Sequence, residues 1–340
     1  MQDKNSSKIW QAPWGYSESF AVVSGVVVVG LILQLTIGSF DFYLLANPIN
    51  FYVIAALVLV SVVLGLRFKT SSFARWFSGV PFSVAIVSAL LLLSVIMGIT
   101  PQMTYNVTVI GFETMTSNWA FIFIYTLTII SLGALIVRKI LAFKIKDISF
   151  YLNHVGLWLL LVASSLGYAD IQRYIMYVNE GETQWRVYDS ERNIQELPIA
   201  ITLNDFSMEF YPSHRVIVEV ETGKVVEGNP DDFELGEKYR AVMTAPEPRS
   251  FRSDVEVYTE SGKKENAAIE VNKPLRIENW TIYQYGYDNV AGNQSTYSSF
   301  ELVYDSWILP VYIGIILMML GSVMMIFMGH KKRGADYVVE

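Results

Sequence analysis

Six long apolar runs separated by shorter links restrict this chain to a membrane-embedded fold. A helix needs about 20 predominantly apolar residues to cross the hydrocarbon core of a bilayer. Six segments approach or reach that length: Phe20–Phe40, Phe51–Leu66, Val80–Thr100, Trp119–Val137, Phe150–Tyr168 and Trp307–Met328. A long polar stretch, residues 169–304, lies between the fifth and sixth runs. The sequence therefore predicts an α-helical integral membrane protein with six transmembrane helices and one large domain outside the bilayer.

Basic residues alternate from link to link and predict the orientation of the helices. Arg67, Lys69 and Arg75 follow the second run and Arg138 and Lys139 follow the fourth, whereas the links after the first and third runs have no lysine or arginine. The positive-inside rule then places both termini in the cytoplasm and the polar stretch outside it. The first run is interpreted as a retained helix, because a polar lead precedes it and no small-residue cleavage site closes it.

This orientation gives six predicted segments. They are a cytoplasmic lead (1–19), a first pair of transmembrane helices (20–67), a three-helix membrane core (80–168), a periplasmic domain (169–304), a final transmembrane helix (305–329) and a cytoplasmic tail (330–340). Residues 170–304 carry 24 acidic and 13 basic side chains, a formal charge of −11. Such a charge argues against a nucleic acid as partner.

The absence of cysteine excludes several chemistries. The chain has no disulfide framework, no thiolate metal site and no CxxCH motif for covalent haem attachment. It is therefore neither a c-type cytochrome nor a catalyst of thiol–disulfide exchange.

Alternation of apolar and polar residues predicts a β-rich periplasmic domain. Arg215–Glu221 and Ser253–Tyr258 place valines on one face of a strand and acidic residues largely on the other, the pattern of a half-buried strand. Leu197–Leu203, Thr281–Tyr285 and Ser299–Val303 are also predicted to be strands. The stretch Asp170–Glu182 is expected to continue the preceding helix.

His154 is the one ionisable side chain in the fifth apolar run. Such a group is costly to hold in a membrane and is a functional hypothesis by default. Two interpretations stay open from the residues alone. In the first, His154 is an interfacial side chain hydrogen-bonded to a headgroup or carbonyl. In the second it has a function, as an axial ligand for a metal or haem or as a proton relay. His214, in a turn, is interpreted as a surface residue, and His330 lies at the cytoplasmic end beside Lys331; neither is expected to have a chemical role.

The segment Val271–Asp288, VNKPLRIENWTIYQYGYD, resembles the ResB family, also called CcsB, of System II cytochrome c biogenesis proteins. In that family one strand ends in Val-Asn-x-Pro-Leu and the next reads Ile-Tyr-Gln. The matching residues here are Val271, Asn272, Pro274 and Leu275, then Ile282, Tyr283 and Gln284. Further segments match in order: Gly98–Gln102, Ser117–Arg138, His154–Leu157 and Ile201–Phe206. The resemblance covers about Val80–Met328.

Two departures from the family pattern are visible. Two extra spans, Phe20–Leu66, precede the familiar four helices, and the chain has no tryptophan-rich haem-handling motif. In System II that motif belongs to the CcsA half of the machinery. The chain therefore resembles the ResB half alone, which implies a separate CcsA-type partner.

The resemblance implies a function in haem transport and attachment at the bacterial inner membrane. Haem would be carried across the membrane and presented to apocytochrome c, with His154 as one axial ligand and a CcsA histidine as the other. The motif residues are expected to be structural or to form a docking surface: Asn272, Pro274, Leu275, Trp280, Tyr283 and Gln284. No catalytic residue is predicted, so the chain is at most a subunit of a haem lyase complex. The alternative is a non-enzymatic membrane scaffold or sensor without a cofactor.

Overall fold

The computed structural model describes residues 10–103, 105, 107–226, 228 and 232–329. Residues 1–9 of the predicted lead and the predicted tail 330–340, with His330, lie outside the described residues. The fold has two compact units. A helical unit runs as far as Asp170 and resumes at Ser306, and a β unit spans Ile171–Asp305.

Seven helices form the described part of the helical unit. They are α1 (Tyr16–Ile37), α2 (Ile49–Leu66), α3 (Ser72–Phe77), α4 (Val80–Ile99), α5 (Trp119–Ile140), α6 (Ile148–Gly167) and α7 (Ile308–Gly329). Among the described residues, all except α3 are long and apolar enough to cross a membrane. These six helices coincide with the six predicted runs to within a few residues at either end, and they support a multi-pass membrane protein.

Helices α6 and α7 pack against each other through glycine. A Cβ at Gly156 would lie 2.4 Å from the backbone nitrogen of Met318, and one at Gly321 would lie 2.3 Å from that of Asn153. In a membrane, small residues allow this close approach and the van der Waals contact that replaces hydrophobic association. The ridge of α6 that bears Asn153 and Gly156 therefore fits directly onto α7.

The first two helices pack on α5. Gly30 of α1 lies so close to Ala120 that an added Cβ would be 2.4 Å from its Cα. The end of α1 is further held to the start of α5, because Trp119 Nε1 donates to Gly38 O at 2.9 Å and Phe40 N donates to Ser117 O at 2.9 Å. Gly65 of α2 approaches α5 similarly, since an added Cβ would lie 2.6 Å from the side chain of Val137. The two helices that the family resemblance left unexplained are thus an integral part of the helical unit.

The β unit contains eleven strands in its described residues. They are β1 (Gln172–Asn179), β2 (Thr183–Tyr188), β3 (Ile194–Phe210), β4 (Arg215–Glu219), β5 (Val225–Val226), β6 (Tyr239–Met243), β7 (Pro248–Thr259), β8 (Lys264–Glu270), β9 (Leu275–Ile277), β10 (Trp280–Tyr287) and β11 (Tyr297–Tyr304). The prediction that the preceding helix continues over Asp170–Glu182 is wrong. Only a 3₁₀ turn, Tyr168–Asp170, follows α6, and Gln172–Asn179 pairs along its length with β11.

Eight of these strands form one antiparallel sheet in the order β8-β7-β3-β2-β1-β11-β10-β9, and β5, β4 and β6 form a second sheet. The edge strands of the larger sheet, β8 and β9, are consecutive in the sequence and contact each other. Ile269 of β8 and Ile277 of β9 are buried in the same core as Phe300 and Leu302 of β11. The sheet therefore curls around a single core until its edges meet, and residues 271–274 form the turn that joins them.

Candidate functional site

His154 lies on α6, about 9 Å along the axis from the first residue of the helix at 1.5 Å per residue. Its Nδ1 is 3.0 Å from the carbonyl oxygen of Phe150, one turn earlier. A carbonyl can only accept, so this contact assigns the proton to Nδ1. Among the described residues Nε2 has no hydrogen-bond partner, which leaves its lone pair available to a metal.

The imidazole of His154 is one member of a stack of three side chains. It lies on the ring of Phe150, with the ring centroids 3.8 Å apart and the planes 27° from parallel. Lys139 Nζ, from the end of α5, lies 5.5 Å from the centroid of the same phenyl ring, within cation–π range. The stack fixes the plane of the half-buried imidazole and places a cation close to it.

Neighbouring side chains fix the rotation of α6 about its axis. Asn153 Nδ2 donates to Ser322 Oγ at 2.7 Å and to Met318 O at 3.3 Å, both on α7. Tyr151 OH donates to Lys139 O at 3.0 Å. Successive residues of a helix project about 100° apart. Because Asn153 is held against α7, His154 is directed away from that seam.

A complete metal site is not found within the described residues. No cluster of three or more His, Asp or Glu side chains lies close enough there to hold an ion. His214, in the β unit, is exposed, and its Nδ1 is 3.3 Å from Thr244 Oγ1. His154 therefore offers one nitrogen ligand and is not joined by a second histidine from the described part of the chain.

The family motif in the β unit forms the turn where the large sheet closes. Asn272 adopts a left-handed backbone conformation with φ of 64°, which asparagine tolerates better than most residues. Lys273 N donates to Glu270 O at 3.0 Å, and Lys273 Nζ bonds the carboxylate of Glu270 at 2.7 Å. Pro274 precedes β9, and Leu275, at the start of that strand, pairs with Ile282.

The second half of the motif divides into a buried and an exposed part. Trp280 is only 6% exposed and its ring contacts those of Tyr174 and Tyr304. Gln284 Nε2 donates to Ser298 Oγ at 3.0 Å and to Gly286 O at 3.2 Å across a bulge in β10. Tyr283, on the opposite face, is 39% exposed and is available to a partner.

Asp170, at the end of α6, is a residue whose importance sequence reasoning missed. Its Oδ1 accepts from Asn47 N at 2.7 Å, and its Oδ2 accepts from Asn50 Nδ2 at 2.7 Å and from Trp307 Nε1 at 2.6 Å. One carboxylate thus joins the start of α2, the end of α6 and the approach to α7. The available signal was an acidic residue directly at the end of an apolar run, where such groups usually have a partner.

Comparison with known families supports the resemblance that the motifs indicated. Residues 144–296 match the model of the ResB-like family, a stretch that contains both His154 and the Val271–Asp288 motif. No curated protein matches the chain. Among solved structures, one titled Cytochrome c Heme Lyase CcmF aligns with 90% of this chain and 44% of its own length, at 12% identity and a TM-score of 0.34. The chain thus spans less than half of that protein.

Proposed function

We propose that this chain, whose residues 144–296 are ResB-like, is a membrane component of cytochrome c biogenesis. It helps carry haem across the membrane and presents apocytochrome c for covalent haem attachment, together with a CcsA-type partner. The observation that carries this proposal is the presence, within the ResB-like stretch, of a membrane-helix histidine whose Nε2 is free of hydrogen bonds to the described residues.

His154 binds the iron of the transported haem through Nε2. Imidazole is a common axial ligand of haem iron, and the hydrogen bond from Nδ1 to a carbonyl increases the basicity of the coordinating nitrogen. A single imidazole supplies one axial position. The second ligand therefore comes from the partner chain, as in the System II arrangement that the resemblance implies.

The helical unit spans the bacterial inner membrane with both termini in the cytoplasm. Basic residues flank the start of α6, at Lys144 and Lys146 and at the end of α5, and the positive-inside rule supports a cytoplasmic position for them. His154 then lies near the side on which haem enters. Residues 169–304 form the periplasmic domain between the fifth and sixth spans.

The β unit serves as a docking surface for apocytochrome c rather than as a catalyst. The chain has no cysteine, and formation of the thioether bonds is assigned to the complex rather than to side chains of this chain. Tyr283 belongs to this surface because it is the exposed residue of the Ile-Tyr-Gln part of the motif. Trp280 and Gln284 stabilise the strand that carries Tyr283, and Asn272, Pro274 and Leu275 form the turn and the start of the strand beside it.

The second candidate is a membrane scaffold or sensor that binds a partner through the β unit and carries no cofactor. Tyr283 and the acidic β unit suit both functions. A scaffold makes no use of the free Nε2 of His154, so substitution of that residue discriminates between the two candidates.

A maturation assay tests the proposal. This chain and a CcsA-type partner are expressed in a bacterium that lacks its own cytochrome c assembly system, with a reporter apocytochrome. We expect covalently haem-stained cytochrome with the wild-type chain, a loss of at least tenfold with His154→Ala, and no loss with His214→Ala as the control. Equal yields with and without this chain would contradict the proposed function.

A further inference from the structure

An apolar cavity in the helical unit is not used by the proposed function. Its volume is about 360 Å³. It is lined by residues of the link after α1, of α2, of the turn before α5, of α5 and of the end of α6, among them Phe40, Val53, Phe121, Ile129 and Leu166. We call it the α2–α5–α6 cavity. Aromatic and aliphatic side chains dominate its wall.

Three of the hydroxyl groups of this wall have partners on the helix backbone. Tyr125 OH donates to Leu161 O at 2.9 Å, Ser164 Oγ to Leu160 O at 2.6 Å and Ser165 Oγ to Leu161 O at 2.9 Å. A bound molecule therefore does not need to supply acceptors for these three donors. Thr116, Thr126 and Tyr168 carry the remaining hydroxyl groups, but most of the wall is apolar, so it is suited to an occupant that makes mainly van der Waals contact.

The volume sets the size of the occupant. An apolar cavity of about 150 Å³ in another protein binds benzene, which corresponds to about 25 Å³ per carbon atom. At that density the α2–α5–α6 cavity holds about 14 carbon atoms. Haem, with roughly three times as many non-hydrogen atoms, does not fit. One saturated acyl chain does, and hydrocarbon chains surround helices that are long and apolar enough to cross a membrane.

We propose that the α2–α5–α6 cavity is a specific binding site for one acyl chain of a membrane phospholipid. Phe40, Phe42, Leu45, Val53 and Leu57 belong to the link after α1 and to α2, outside the ResB-like stretch. The link after α1 and helix α2 therefore complete a lipid site against α5 and α6. This site does not depend on haem, so its test is independent of the proposed function.

Native mass spectrometry of the full chain in mild detergent tests this site. Val53→Phe enlarges a side chain of the cavity wall, and Val58→Phe makes the same change on the same helix at a position that is 42% exposed. We expect one phospholipid to be retained by the wild type and by Val58→Phe, and retention to fall at least fivefold in Val53→Phe. Ser165→Leu, which fills the cavity from α6, is expected to have the same effect as Val53→Phe.

Thermal unfolding identifies variants that fold, and only those are compared. The proposal is overturned if the wild type retains no lipid, or if both wall variants retain as much lipid as the exposed-position control. It is also overturned if the retained mass is that of a free fatty acid or of haem. The use of two wall variants on different helices keeps the test decisive if one of them fails to fold.

Discussion

Replacement of Asp170 by alanine should destabilise the helical unit far more than an ordinary surface change. The carboxylate accepts three hydrogen bonds, from Asn47, Asn50 and Trp307, at 2.6 to 2.7 Å. These donors belong to the start of α2 and to the approach to α7, so a single side chain fixes both against the end of α6. Alanine would remove both acceptor oxygens, and with them all three hydrogen bonds, without disturbing the helices themselves.

The magnitude follows from the surroundings of each donor. Asn50 is fully buried, so its Nδ2 would lose its acceptor where water does not easily replace it, at a cost of about 1–3 kcal/mol. The other two bonds lie in more accessible positions and contribute about 0.5–1.5 kcal/mol each. The sum is centred on about 4 kcal/mol. For a unit of this size it corresponds to a fall in Tm of roughly 8–16 °C.

Tryptophan fluorescence during heating of the purified protein in detergent measures this change. Asp41→Ala is the matched control, because within the described residues the Asp41 carboxylate accepts a single hydrogen bond, from Tyr43 N at 2.9 Å. Its Tm should fall by less than about 4 °C. In the double variant Asp170→Ala/Asn50→Leu, the loss should be smaller than the sum of the single losses, because no buried donor is left unpaired. A Tm for Asp170→Ala within about 2 °C of the wild type would mean that these three hydrogen bonds do not stabilise the helical unit.

Three further predictions concern other parts of the chain. Gly156→Val should separate α6 from α7 and lower the Tm sharply, whereas Gly156→Ala should have a smaller effect; thermal unfolding measures both. Trp280→Ala should cost about 3–5 kcal/mol and Tyr283→Ala less than about 1 kcal/mol, measured by denaturant unfolding of the full chain. Hydrogen bonds, of which that from Asn193 N is the most important, hold the pKa of Asp189 below its ordinary value of 3.8. The contribution of the Asp189 carboxylate to stability should therefore be complete above about pH 5 and be lost as the pH falls through the lowered pKa. An NMR titration measures the midpoint.

Each of these predictions has a result that would contradict it. A Gly156→Val protein with wild-type stability would mean that α6 and α7 are not closely packed at Gly156. Equal losses of stability for Trp280→Ala and Tyr283→Ala would mean that Trp280 does not stabilise the β unit more than the exposed Tyr283 does. A titration midpoint of Asp189 at or above 3.8 would show that its hydrogen bonds do not favour the charged form.

Local sequence signals predicted the six long helices because each span is a continuous apolar run. The same signals missed α3, Ser72–Phe77, which has only six residues and is too short for a periodic pattern to show. They also failed at Asp170–Glu182. The residues Gln172–Asn179 form a strand because they pair with β11, more than a hundred residues further along the chain. Such a partner is invisible to a local pattern.

The candidate site was also predictable only in part, because local sequence patterns do not reveal contacts with distant residues. His154 could be singled out because an ionisable residue is conspicuous in an apolar run. The free Nε2 could not be predicted, because it depends on the rotamer that brings Nδ1 to Phe150 O. The three hydrogen bonds of Asp170 connect segments that are remote in sequence. The α2–α5–α6 cavity likewise lies between helices that are far apart in the chain. Only the packed structure brings those residues together.

The visible absorption spectrum of the purified complex tests the central proposal most directly. The chain is co-expressed with a CcsA-type partner, purified in detergent, and compared with the His154→Ala variant. We expect a bis-histidine haem spectrum for the wild type, its loss in the variant, and its recovery when imidazole is added to the variant. Identical haem spectra for the two proteins would mean that His154 is not a ligand, because the iron would then be held entirely by the partner.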